Sequence, residues 1–149
     1  MRAIEKRRER MREYIVLLDI ETPPMSAEKF SQTFGVQASK FEMKELRNGM
    51  LWRAESPLGK KATLLEHVIS LLRKYPIRDR NHQKTNKATH KAYLNVGVLY
   101  DTYTCTVEVP FQCINVLKHH GVGMHLCCYP TLFTRRHKRK TKKRARRVQ

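Results

Sequence analysis

The sequence predicts an α+β domain, a mainly antiparallel sheet with two or three helices on one face. Three observations lead there. Short runs rich in β-branched and aromatic residues alternate with segments whose apolar residues recur every three or four positions. The dipeptide Asn48-Gly49 lies between two of the strand-like runs and signals a hairpin. A strand, a short helix ending in Phe34-Gly35-Val36 or His120-Gly121-Val122, and another strand occur twice. The expected order is β-α-ββ-α-β(β)-α-β.

Along the chain, Glu5 with Arg8 and Glu9 with Arg12 are oppositely charged i,i+3 pairs that favour a solvated helix before Glu13. Tyr14 to Glu21 reads as a first strand, closed by Thr22-Pro23-Pro24. Ser26 offers an N-cap, Ala27, Phe30 and Phe34 follow at helical spacing, and Gly35 can supply the left-handed residue after the helix. Lys40 to Leu46 and Met50 to Glu55, the latter carrying the single Trp52, are the arms of the hairpin. Thr63-Leu64-Leu65-Glu66 is a capping box, and Leu65, Val68, Ile69 and Leu72 form a stripe that ends at Tyr75-Pro76. The polar stretch from Arg78 to Lys91 reads as a loop. Tyr93 to Tyr100 and Thr104 to Val109 read as two strands with a bend between them. Pro110 then occupies a first helical position, Phe111, Ile114 and Leu117 make a stripe, Gly121 ends the helix, and Met124 to Tyr129 is a final strand.

Charge divides the chain differently. Met1 to Glu13 carries six Lys/Arg against three Glu, a net +3, and Thr134 to Gln149 carries +10, so these 13 charges leave +5 of the total +18 for the middle. The expected organisation is a basic arm over 1–13, one α+β domain over 14–133 and a basic disordered tail over 134–149. The candidate phosphate-binding residues are Arg135, Arg136, Lys138, Arg139, Lys140, Lys142, Lys143, Arg144, Arg146 and Arg147, joined by Arg7 and Arg8. Guanidinium forks grip phosphate oxygens bidentately and ammonium groups track a backbone as point charges. Nucleic acid is therefore the expected partner. RNA or a ribonucleoprotein is favoured over DNA, because no helix with base-reading side chains and no dimer-forming repeat points to a specific duplex site.

The four-residue apolar run Ile15 to Leu18 is too short for a secretory core or a membrane span, so the expectation is a soluble, cytoplasmic chain without a membrane partner. In a eukaryotic cell Lys138 to Arg144 would pass for a nuclear or nucleolar localisation patch. The cysteines Cys105, Cys113, Cys127 and Cys128 are expected to stay reduced, as a domain of this size needs no staples.

Asp19-Ile20-Glu21 places two carboxylates on one side of a strand, as the first motif of metal-dependent exonucleases does. The remaining ligands of that pattern do not follow, since Tyr75-Pro76-Ile77-Arg78-Asp79 precedes Asp101 and carries a proline where a helical turn is required. His119, His120, His125, Cys127 and Cys128 crowd together without the spacing of a zinc site. No phosphate-binding glycine loop and no nucleophile elbow occurs, so no catalytic residue, metal or cofactor is assigned. Tyr93, Tyr100, Tyr103, Trp52 and Tyr129 could stack bases on a sheet, with Trp52 expected in the core.

Tyr14 to Pro130 also resembles the bacterial domain of unknown function 4279 family, in its opening strand, the helix ending in Phe34-Gly35-Val36, Trp52, the Leu64-Leu65-Glu66-His67-Val68 helix and the strand ending at Tyr129. The resemblance implies a small intracellular α+β domain whose members sometimes lie near toxin–immunity genes. The reading is a non-enzymatic nucleic-acid-binding protein acting through basic ends. Its rivals are a protein-partner module of the immunity or interaction type with an incidental tail, and a metal-dependent nuclease using Asp19 and Glu21.

Overall fold

The computed structural model describes residues 12–77, 90–101 and 105–131. Five strands form a mixed, mostly antiparallel sheet in the order β2-β3-β1-β4-β5. They are β1 (Arg12–Thr22), β2 (Glu42–Leu46), β3 (Gly49–Glu55), β4 (Lys91–Tyr100) and β5 (Gly123–Pro130), with helices α1 (Ala27–Phe34), α2 (Leu64–Lys74) and α3 (Phe111–His120) between them. Because β1 runs antiparallel to both β3 and β4, and β2 antiparallel to β3, the units β1-α1-β2 and β3-α2-β4 are interleaved β-α-β units. The last unit, β4-α3-β5, adds a parallel strand at the edge.

Strand periodicity decides which face is covered. Val16, Leu18 and Ile20 of β1, Trp52 and Ala54 of β3, and Leu94, Val96 and Val98 of β4 point to one side. There they join Phe30 and Phe34 of α1, Val68, Leu71 and Leu72 of α2, and Cys113 and Leu117 of α3 in a single core. Trp52 is 4% exposed and stacks on Phe30 with ring centroids 4.1 Å apart. Its indole N–H donates to Thr22 Oγ1 at 3.1 Å, which satisfies the one polar atom that burial would otherwise strand.

The helix ends follow their local chemistry. Ser26 Oγ accepts from the Lys29 N–H at 3.2 Å. Thr63 and Glu66 cap each other reciprocally at 2.7 and 3.2 Å. Gly35 and Gly121 both adopt left-handed φ, 70° and 65°, and each is followed by a buried valine, Val36 and Val122.

Four local expectations are corrected. Arg12 and Glu13, placed in the arm, are strand residues opposite Tyr100 and Leu99. The hairpin stands where expected, but Leu46 pairs with Gly49, so the turn is Arg47-Asn48 and Gly49 is a strand residue without positive φ. Glycine is required there by crowding, since a Cβ would lie 2.3 Å from the Thr22 carbonyl oxygen. Residues 105–110 are irregular, so the second strand expected over Thr104 to Val109 is absent from its described part. Cys105, Val107 and Val109 alternate because they pack on the core, while both sides of β4 are already paired, with β1 and β5. Finally, α3 is rolled relative to its expected stripe: Cys113 and Leu117 are buried, whereas Phe111 and Ile114 are 71% and 48% exposed. Cys113 acts as the small hydrophobe that seats the helix, and burial pushes its thiol pKa up.

Among the described residues no helix is long and apolar enough to cross a membrane.

Candidate nucleic-acid interface

Twelve of the candidate phosphate ligands, Arg7, Arg8 and the ten Lys and Arg of 135–147, lie outside the described residues. Their points of attachment are defined. Arg12 pairs with Tyr100, and Tyr100 pairs with Pro130, so three neighbouring strands bring the start of β1 and the end of β5 to one end of the sheet. Two inter-strand spacings separate them, about 10 Å. The Thr131 N–H and hydroxyl both donate to the Tyr100 carbonyl, at 2.8 and 2.9 Å, which fixes the last described residue.

Further cations belong to this end. The Tyr14 N–H donates to the Lys60 carbonyl at 2.8 Å, which ties the exposed Lys60-Lys61 pair beside the start of β1. Sequence reasoning missed these lysines. The signal was present, a Gly59-Lys60-Lys61 loop, but its position depends on a contact between residues 46 apart.

The second element of the site is the sheet face away from the helices. Asp19 and Glu21 do share this face, as the D-x-E spacing requires, but each has a different partner. Arg53 grips both Asp19 oxygens, Nε to Oδ1 at 2.7 Å and Nη2 to Oδ2 at 2.8 Å, and Asp19 is 1% exposed. The bond to Asp19 holds the Arg53 pKa above its already high value. The Tyr93 hydroxyl donates to Glu21 Oε1 at 2.9 Å, and burial, reinforced by that carboxylate, pushes the phenol pKa up to about 12. A cation bound at Asp19 would have to displace a bidentate guanidinium. Among the described residues no group of three or more His, Cys, Asp or Glu is placed to hold a metal ion.

The histidine and cysteine crowd is likewise dispersed. His119 and His120 end α3, with His120 Nδ1 3.1 Å from the Ile77 carbonyl oxygen. His125 and Cys127 lie on the open face opposite Asn95 and Gly97. Cys128 points to the other side, where the Cys105 thiol approaches its Sγ at 3.0 Å; burial first, and that contact second, push the Cys105 pKa up to about 11.

The sheet aromatics sort by strand parity. Trp52 is core, as expected, while Tyr93 and Tyr129 are on the open face. The Tyr93 and His125 rings lie 4.4 Å apart at 32°, and Tyr129, 53% exposed, leans over Gly97, where a Cβ would sit 3.4 Å from its ring.

One buried polar pair had no sequence signal. Ser56 Oγ lies 2.7 Å from His67 Nδ1 and accepts from the Leu58 N–H at 3.3 Å. It is a Ser-His contact without the geometry of a nucleophile: both residues are buried, and His67 Nε2 meets no hydrogen-bond partner among the described residues. Burial lowers the His67 pKa, with the Glu66 charge opposing it. The pair ties the end of β3 to α2.

Comparison with family models, with curated proteins and with solved structures returns no match for this chain.

Proposed function

We propose that this chain is a non-enzymatic nucleic-acid-binding protein, with RNA or a ribonucleoprotein favoured over DNA, whose basic ends hold phosphates. The supporting observation is the common exit. Segments carrying +3 and +10 are attached side by side at Arg12 and Thr131, next to Lys60 and Lys61, so their fields add over one end of the fold. Neutralising about 6–10 phosphates makes affinity fall roughly 10³–10⁵-fold between about 50 and 200 mM salt. Binding of labelled RNA across that range tests the reading. A truncation ending at Phe133 loses most of the affinity and most of the salt slope; a truncation that keeps both overturns it.

A second reading, the protein-partner module, draws on α3, whose exposed Phe111 and Ile114 sit one turn apart with nothing over them among the described residues. Self-association is its first test. Sedimentation that changes between the wild type and Phe111→Ser would assign α3 to a protein contact; identical monomers in both would remove self-association as that contact.

A further inference from the structure

The five strands share one sheet, but the open face is electrostatically split down its middle. Its β1, β2 and β3 half carries Glu13, Asp19, Glu21, Glu42 and Glu55 against Lys44 and Arg53, so acids outnumber bases there. Its β4 and β5 half, facing outward through Lys91, Tyr93, Asn95, Gly97, Leu99, His125, Cys127 and Tyr129, contains no carboxylate. That second half also holds the open-face rings. Tyr93 is fixed by its bond to Glu21 and meets His125, and four residues further along β5 Tyr129 presents its ring over the bare backbone of Gly97. The Tyr129 ring lies level with Gly97, two residues along β4 from Asn95, the partner of His125, so two ring stations follow one another about 7 Å of strand apart with the Asn95 amide beside the first. Tyr129 is two residues before Thr131, where the basic segment is attached.

We propose that the β4–β5 half of the open face is a platform for single-stranded nucleic acid, on which unpaired bases stack against Tyr129 and the Tyr93–His125 pair. The inference rests on the phosphate-binding reading above and deepens it to a class of ligand. A duplex keeps its bases stacked on one another and offers this face only its backbone, whereas an unpaired strand can turn its bases onto the rings. Asn95 can both donate to and accept from a base edge. The missing carboxylates matter as much as the rings, because a polyanion laid over the β1–β3 half would meet Glu13, Glu42 and Glu55, whereas Asp19 is buried under Arg53 and Glu21 is bonded to Tyr93.

The test uses the full chain, a labelled uridine oligomer of about 12 nucleotides, the matching thymidine oligomer and an RNA duplex of equal length. His125→Ala with Tyr129→Ala removes one ring from each station, and both side chains are exposed, so equal thermal midpoints check the fold. The double variant loses about tenfold or more in affinity for both single strands, and Tyr129→Phe restores most of the Tyr129 share, while duplex affinity stays unchanged. Unchanged single-strand binding, or an equal loss on the duplex, overturns the platform. Truncation at Phe133 separates the two readings, since loss of charge weakens single strand and duplex alike. If truncation matters and the ring variant does not, the platform alone fails; if the ring variant matters and truncation does not, the charge reading alone fails.

Discussion

On the helix side of β1, Val16, Leu18 and Ile20 are sealed beneath Phe30, Val68 and their neighbours. One residue over, on the reverse side of the same strand, Asp19 and Glu21 meet an arginine and a tyrosine. The first face is held by non-directional burial, where the loss of any large side chain leaves a cavity. The second is held by a few directional contacts between groups that prefer water, and it leaves ring faces and an amide unspent. A strand can thus be wholly structural on one parity and available for ligands on the other, and substitutions at adjacent residues should separate stability from binding.

The largest effect expected is on the covered face. Trp52→Ala costs about 3–5 kcal/mol of unfolding free energy, because it empties the space against Phe30 and removes the Thr22 bond. In urea titrations this appears as a lower midpoint, with nucleic-acid affinity unchanged in the folded fraction. A stable variant with weakened binding would put the indole on the wrong side of the comparison. Next comes the one place where the open face behaves like a core. Arg53→Ala leaves the Asp19 carboxylate buried and unpaired, and costs about 2–3 kcal/mol, less than a fully buried pair because Arg53 is partly exposed. Arg53→Leu combined with Asp19→Leu recovers most of that loss; a double variant as unstable as Arg53→Ala would mean that the ion pair matters for something other than charge balance.

The third effect is a pH dependence inside the covered layer. His67 is neutral and buried with its pKa lowered, so below about pH 6.5 the unfolded chain binds a proton that the folded chain refuses. Stability is fully present above that pH and falls as the pH drops through it, by at most about 1.4 kcal/mol per pH unit for this one proton. His67→Gln flattens the profile, and equal slopes in the two proteins would rule the assignment out. The smallest effect is the sharpest contrast. Tyr129→Ala shifts the unfolding free energy by no more than about 0.5 kcal/mol, as an exposed side chain should, although the same change is expected to weaken single-strand binding.

Local chemistry made much of this fold legible. The capping box at Thr63, the Ser26 cap and both Gly-Val helix ends depend on residues within four positions of each other, and each is where the sequence placed it. What failed was anything set by a distant neighbour. Gly49 reads as a turn glycine, but the Thr22 carbonyl, 27 residues earlier, is what excludes a side chain there. Val107 and Val109 alternate like a strand, yet whether they pair depends on β5, which follows later and takes the side of β4 that β1 leaves. The roll of α3 depends on whether Cys113 or Phe111 turns into the core, a choice that periodicity leaves open. The open face shows the same division. Charge counts raised the expectation of a polyanion, while the sorting of Tyr93, Tyr129 and Trp52 onto opposite faces, and the Asp19–Arg53 and Ser56–His67 contacts across 34 and 11 residues, required the register.

The two rims of the sheet differ in a way that matters for handling the protein. β2, one edge, carries Glu42, Lys44 and Glu45, and such charges discourage another chain from pairing with it. β5, the other edge, reads Gly-Met-His-Leu-Cys-Cys-Tyr-Pro without one Lys, Arg, Asp or Glu, and its outer backbone groups have no strand beside them among the described residues. What guards that rim is remote, the mutual repulsion of chains carrying +18 each. Salt shortens the reach of that repulsion to about 3 Å near 1 M. High salt therefore removes the barrier to edge-to-edge aggregation, and β5 is where such aggregates would begin.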